Sequence, residues 1–201
     1  MMKYIFRHFI LSAVIVLCSC QEKTANLVDL NKLIIDDSQI PNGWILLSKG
    51  NDPIVSFGEE QAIQMLFFYG EDTEQKTRGG ITIYQHGSFN DAYEHFIKQE
   101  NGDFNANNRR SLGPFFIPDD IDVSFALDSD EYHFGCHHVS LRGLLDDTLT
   151  CLYLAQYQEY VVYVRVNMLY HDKETLSIEQ LEQLLLDTHQ HMMQGLNGSS
   201  E

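Results

Sequence analysis

The run from Tyr160 to Leu169 constrains this 201-residue chain most. Tyr160, Val162, Val164, Val166 and Met168 alternate with Val161, Tyr163, Arg165, Asn167 and Leu169. A period of two places successive side chains on opposite faces of a strand. The first set is wholly apolar and the second carries Arg165 and Asn167. This predicts a sheet strand with one face on the core and a more polar opposite face. β-Branched and aromatic residues also suit the pleated surface better than a helix.

The two runs before it extend the same sheet. Tyr132 to Leu141 and Thr148 to Gln156 are strand-like, and each holds one cysteine, Cys136 and Cys151. If these cysteines face each other, opposed residue numbers sum to 287 and Phe134 lies opposite Tyr153. The register then leaves Arg142-Gly143-Leu144-Leu145 as a four-residue hairpin loop, a common length. Opposed Cα atoms in an antiparallel pair lie about 4.5–5.5 Å apart, within reach of a disulfide. Turn length, aromatic pairing and cysteine spacing therefore predict a Cys136–Cys151 bond. Gln156 to Glu159 connects to the Tyr160 strand and completes a meander.

Elsewhere the punctuation is clear. Leu27, Leu30, Leu33 and Ile34 recur at helical spacing, so a short helix is expected over 27–35. Pro41-Asn42-Gly43 is turn chemistry, and Trp44 opens a strand to Ser48. Residues 61–70 and Gly79 to Tyr84 form a second antiparallel pair across the charged connection Glu71 to Arg78. Ser88 is an N-cap with Asp91 in the capping-box position. Ala92, Tyr93, Phe96 and Ile97 give that helix its apolar stripe, and Asn101-Gly102 stops it. Pro114 and Pro118 argue for irregular structure around Phe115-Phe116-Ile117, and Val123 to Leu127 reads as a short strand. Ser177 with Gln180 opens a last helix whose face is Ile178, Leu181, Leu185, Thr188 and Met192, flanked by Leu184. Gly195 ends it. The order helix, strands, helix, strands, helix defines an α+β single domain, with a mostly antiparallel sheet and helices packed on one face.

The amino terminus is of another kind. Lys3 and Arg7 precede an apolar run, Phe9 to Leu17, too short to span a bilayer, which takes about 20 apolar residues. Leu17-Cys18-Ser19-Cys20 follows and resembles a bacterial lipobox. The resemblance implies cleavage before Cys20 and a diacylglyceryl group on its sulfur. It divides the chain into a signal peptide (1–19), a lipidated tether (20–26), an α+β domain (27–196) and a flexible tail (197–201). It also implies a protein held at a membrane by lipid and facing outward or into the periplasm. Gln21 resembles the sorting pattern for the outer membrane, where the cell has one. The motif accounts for two of the four cysteines. Cys136 and Cys151 remain, in a compartment where oxidation is allowed.

Charge narrows the partners. Lys3 and Arg7 are the only charged residues of 1–19, so the remainder keeps 11 of the 13 basic residues against all 29 acidic ones. A surface this acidic repels phosphate backbones, which argues against nucleic acid. The layout, with Ile40-Pro41-Asn42-Gly43-Trp44, is also similar to exported α+β domains of the PsbP/Mog1 type, a topological likeness that carries no functional residues with it.

Catalytic signatures are missing. The chain has no Gly-x-Ser-x-Gly and no Ser-x-x-Lys, and its cysteines are committed elsewhere, so an enzyme is not expected. No cofactor is implied beyond the lipid on Cys20. Metal is the sharper alternative. His133 and His137 share a strand face within an acid-rich segment, and His189 and His191 stand beside Met192 and Met193, a donor set suited to copper(I). Against it, helix positions two apart do not face each other, and no metal-ligand spacing is present. Arg165 with Tyr163 and Asn167 is a candidate ligand or partner surface, unless a helix or an acidic partner covers it. The reading is a non-enzymatic envelope lipoprotein that binds a protein or small ligand, with a copper- or zinc-handling lipoprotein as the alternative.

Overall fold

The computed structural model describes residues 28–51, 58–69, 78–104, 113–139, 148–169 and 177–198. The residues expected to form a signal peptide and tether, with Cys20, and the expected Arg142–Leu145 loop lie outside the described residues.

Six strands form one antiparallel sheet: β1 (Trp44–Asn51), β2 (Gln61–Tyr69), β3 (Arg78–Gln85), β4 (Glu131–Val139), β5 (Thr148–Tyr157) and β6 (Tyr160–Leu169). Their order is β1-β2-β3-β6-β5-β4. Two meanders, β1-β2-β3 and β4-β5-β6, are therefore joined where β3 pairs with β6. The seam is antiparallel, with Ile81 opposite Val164 and Ile83 opposite Val162. β-Branched side chains fill that central contact, which suits the half-buried pleat. The hairpin from β5 to β6 has only Gln158 and Glu159 between the paired Tyr157 and Tyr160. Gln158 takes the positive φ of 54° that so tight a turn demands.

Helix α1 (Phe89–Asp103) begins at Ser88, whose Oγ accepts from the Asp91 N–H at 3.2 Å. Helix α2 (Ile178–Asn197) begins with a full capping box: Ser177 Oγ accepts from Gln180 N–H, and Gln180 Oε1 accepts from Ser177 N–H. A cap of this kind contributes about 1 kcal/mol.

One sheet face carries the main core. Phe67, Ile81, Ile83, Val162, Val164 and Tyr153 meet Leu181, Leu184, Leu185 and Met192 of α2, together with Leu30, Leu33, Ile34 and Trp44. Each large side chain buried there stabilises the fold by about 1.5–3 kcal/mol. The opposite face is covered over part of its length by α1, where Ala92 and Phe96 pack on Leu154 and Val161. The α+β class, the single domain, the antiparallel sheet and the face covered by α2 and the short helices are as expected. The partial cover that α1 gives the second face is what shapes the site.

Several local expectations are corrected. The helix expected over 27–35 is a 3-10 turn, Leu30–Lys32, followed by another at Asp37–Gln39. Asp29 caps the start of the first turn by accepting from the Asn31 backbone and side-chain N–H groups. The strand expected at Val123 to Leu127 is a 3-10 helix, Ser124–Asp128. Asp122 Oδ1 accepts from Ser124 N–H at 2.8 Å there, a local bond that competes with strand pairing. Asn197, assigned to the tail, is the last residue of α2, which runs two residues past Gly195. Arg78, read as connection, opens β3.

Candidate functional site

The β4–β5 register is the one expected from the cysteine spacing. Phe134 lies opposite Tyr153 and Cys136 opposite Cys151, and the two sulfurs are bonded at 2.03 Å. The Cys136 backbone also exchanges two hydrogen bonds with Phe116, which caps the outer edge of β4.

Following the registers across the sheet gives the second face as rows. One row is Gly135, Leu152, Arg165, Gly80, Leu66 and Ser48 on successive strands. The next is His133, Leu154, Tyr163, Thr82, Gln64 and Gly50. α1 sits beyond these, over Tyr84 and Val161. Where α1 ends, the face opens into a groove of about 240 Å³ lined by β2, β3 and β6. Its floor is Tyr163, Arg165, Thr82 and Gly80, with Gln64 and Leu66 along one side and Arg78 and Asn167 at the end.

Arg165 dominates this groove. β6 is an interior strand of the sheet, yet the Arg165 side chain is exposed. Among the described residues no carboxylate pairs with it. Its cross-strand neighbour Gly80 has no side chain to cover it. A Cβ there would meet Leu66 Cδ2 at 2.9 Å, so Leu66 leans over the glycine and walls the groove. Arg78 lies one strand over and one row along, a diagonal neighbour about 7–8 Å away by backbone spacing. Two guanidinium groups thus line one small concavity of a chain whose formal charge is -16.

The polar neighbours are oriented. Thr150 Oγ1 donates to Asn167 Oδ1 at 2.9 Å, which leaves the Asn167 amino group to donate. Gln64 Nε2 donates to Thr82 Oγ1 at 3.2 Å, which leaves Gln64 Oε1 to accept. Burial pushes the Tyr163 phenol far above its ordinary pKa, with the nearby Asp103 carboxylate adding to this and Arg165 opposing it. Tyr163 is therefore a neutral hydrogen-bonding group at any physiological pH.

The four candidate metal histidines are engaged separately. His133 Nδ1 meets Glu100 Oε1 at 2.8 Å, and its ring stacks on Phe104 at 4.0 Å. His137 stacks on Phe115 at 4.2 Å. Burial and then the charge of Arg165 lower its pKa, so it is held neutral. His189 is buried in the main core, where the Tyr157 hydroxyl meets its Nδ1 at 2.9 Å and Tyr153 meets Tyr157 at 3.0 Å. His191, two positions on, is half-buried on α2. Among the described residues no three His, Cys, Asp or Glu side chains stand together as a metal centre. The Tyr157–His189 pair, with Asp128 at 4.0 Å, has the residue types of a proton relay; Tyr157 and His189 are buried, and Asp128 stands at the surface.

A second buried polar cluster lies at the same hairpin end of the sheet, on the face covered by α1. His86 Nε2 and His95 Nδ1 are 2.9 Å apart, and both rings are fully buried. Burial lowers both pKa values, and the His86 charge pushes further on His95, which falls to about 4. Buried Glu59 opposes both shifts.

Arg78, Gln64 and Thr150 were not singled out in the sequence. The signal for Arg78 was the β3–β6 pairing, which places it beside Arg165, and no local pattern announces that pairing.

The architecture defines an α+β domain with an antiparallel six-stranded sheet and one partly open face. No protein-family model and no curated protein sequence matches the chain. Among solved structures it is similar to the extracellular domain of PknH from Mycobacterium tuberculosis, with a TM-score of 0.56. That match has 7% sequence identity over 83% of this chain and 94% of the other, and it shows a shared fold. A protein from Bacteroides thetaiotaomicron aligns at a TM-score of 0.34 with 12% identity, over 72% of this chain and 41% of the other. The second alignment is too loose to carry an argument. Among the described residues no helix is long and apolar enough to cross a membrane.

Proposed function

We propose that the chain is a cell-envelope lipoprotein, held at a membrane by a lipid on Cys20, whose domain binds a protein or small ligand without catalysis. The observation that carries the binding role is the groove over Arg165. An interior strand presents an exposed guanidinium there, with amide and hydroxyl groups converging on it. The groove holds no nucleophile paired with a base, and both described cysteines are bonded to each other. At about 240 Å³ it is smaller than the roughly 300–1,000 Å³ of sites that enclose a whole ligand. That size fits a side chain or another small group presented by a partner.

The envelope location rests on the lipobox residues Leu17 to Cys20 and on the disulfide, which is expected in an oxidising compartment. The likeness in fold to a domain described as extracellular agrees with it. In a cell with two membranes, Gln21 favours the outer one. Metabolic labelling with a fatty-acid analogue tests the anchor. Label is expected on the wild-type chain and none on Cys20→Ser, which accumulates unprocessed or is released. A Cys20→Ser chain that remains labelled and processed at the membrane refutes the assignment.

A further inference from the structure

From the groove we infer that Arg165 and Asn167 seat one oxyanion, a carboxylate or phosphoryl group that a ligand presents to the open face of the sheet. This deepens the binding role proposed above and rests on it.

The distribution of charge singles out Arg165. With 29 acidic residues against 13 basic ones, a cation of this chain has carboxylates in excess to choose from. The other described Lys and Arg side chains are engaged. Lys49 lies 3.6 Å from Asp37, and Lys98 lies 3.5 Å from Glu94. Lys32 stands close enough to Asp29 to help lower its pKa. Arg78, at the end of the groove, already has an interaction partner and is not part of the seat. Arg165 differs because of its place in the sheet. Its cross-strand neighbours are Gly80 on β3 and Leu152 on β5, neither of which can pair with it. The carboxylate at the end of α1, Asp103, is taken by the Gln99 amide and the Tyr163 hydroxyl.

The group beside it is fixed in a matching sense. Asn167 is two residues along the same face of β6, about 7 Å away by strand geometry. Thr150 holds its amide oxygen, which leaves the amino group to donate. Arg165 itself offers only donors, in a rigid fork that suits the oxygens of a carboxylate or a phosphate and keeps its charge. Both groups therefore ask for an acceptor, and the uncompensated charge asks for an anion. Gly80 leaves room above the guanidinium, and Leu66 walls it. The formal charge of -16 opposes anions at long range, but salt screens it over about 10 Å, so a single small group feels mainly the local cation.

The test is a titration of the purified, isotope-labelled chain in neutral detergent, at constant ionic strength, with acetate, methyl phosphate and neutral acetamide. The NMR signals followed are the Arg165 Nε–H and the Asn167 side-chain amide. Saturable shifts are expected with acetate, methyl phosphate or both, and none with acetamide. The tighter of the two anions names the source of the oxyanion. Arg165→Gln should weaken binding about tenfold or more, read from Asn167, because the charge-assisted bond is lost. Arg165→Lys should recover only part of it, because the fork is lost. Asn167→Asp, which can still accept from Thr150 but sets a carboxylate beside Arg165, should abolish it. Lys98→Ala, on the exposed side of α1, should change nothing. No saturable shift with either anion at tens of millimolar, equal shifts with acetamide, or binding unchanged by Arg165→Gln would each overturn the inference. Far-UV circular dichroism of each variant confirms that the fold is retained. The outcome is separable from the reading it rests on. Saturable shifts with acetamide alone would sink the oxyanion seat and leave a binding groove, and oxyanion binding with an unlabelled Cys20 would sink only the lipoprotein assignment.

Discussion

Acid should destabilise this fold through the His86–His95 pair, and the size of the effect follows from burial. Both rings are at 0% exposure and meet at 2.9 Å, one nitrogen donating to the other. That bond needs an acceptor nitrogen, so a doubly protonated pair cannot keep it. His95 falls to about 4 in the fold, because of burial, then His86, with Lys98 adding and Glu59 and Gln99 opposing. In the unfolded chain it returns to its ordinary 6.5. The folded pKa is the lower one, so the unfolded state binds the proton more tightly. Stability is complete above 6.5, is lost as the pH falls from 6.5 toward 4, and the loss levels off below that. Linkage at 1.36 kcal/mol per pKa unit makes the loss about 2 kcal/mol near pH 5. Against a typical domain stability of roughly 5–15 kcal/mol this is large. The assay is urea unfolding followed by fluorescence of Trp44, the only tryptophan, which is buried beside Phe67. Measured at neutral pH and near pH 5, wild type should lose about 2 kcal/mol more than His95→Gln, which cannot titrate there. Carboxylates and histidines remote from the pair contribute to both proteins and cancel in the comparison, and His86, which loses its partner in the variant, keeps only its own smaller share. Parallel pH dependence of the two proteins would refute the reasoning.

Two further outcomes follow from covalent and steric features. Replacing Cys136 and Cys151 by Ala releases a loop with a sequence separation of 15 and should cost about 3 kcal/mol, seen as a lower urea midpoint that reductant no longer shifts. Gly79→Ala would put a Cβ 1.8 Å from Phe67 Cε2 and should cost about 1–3 kcal/mol. Gly50→Ala, with nothing within 4 Å of its Cβ, should stay within about 0.5 kcal/mol of wild type. Equal thermal midpoints for the two glycine variants would contradict the packing argument.

The parts legible in the sequence were those written in short-range patterns. The alternation of Tyr160 to Leu169 gave β6 and both its faces. Two cysteines and a loop length gave the β4–β5 register to the residue. Ser88 and Ser177 gave both helix starts. What could not be read was the non-local arrangement. Nothing near Ile81 or Val164 says that β3 pairs with β6, because any two apolar strands could meet in that way. Arg78 beside Arg165, and hence the groove, follows from that one pairing. His95 and His189 look like surface residues of amphipathic helices, yet both are buried because a partner side chain, His86 or Tyr157, waits for each. The 3-10 turn at Ser124 shows the reverse error: an apolar run read as a strand was claimed by one aspartate bond.

The hydroxyl of Tyr160 accepts from the backbone N–H of Val28 at 3.2 Å and from Gln85 Nε2 at 3.5 Å. It pins the start of the described chain to the hairpin end of β6. Arg165 is five residues along the same strand, about 17 Å away at roughly 3.3 Å per residue. Val28 is eight positions beyond Cys20, so with a lipid there the leash would span at most about 26–29 Å. Such a domain patrols only a thin shell above the bilayer. A partner displayed within that shell would meet the groove at high effective concentration, where even a millimolar contact suffices for occupancy. The same contact with a freely diffusing protein would go unnoticed. A lipid on Cys20 would therefore make a weak site selective for neighbours on the same membrane.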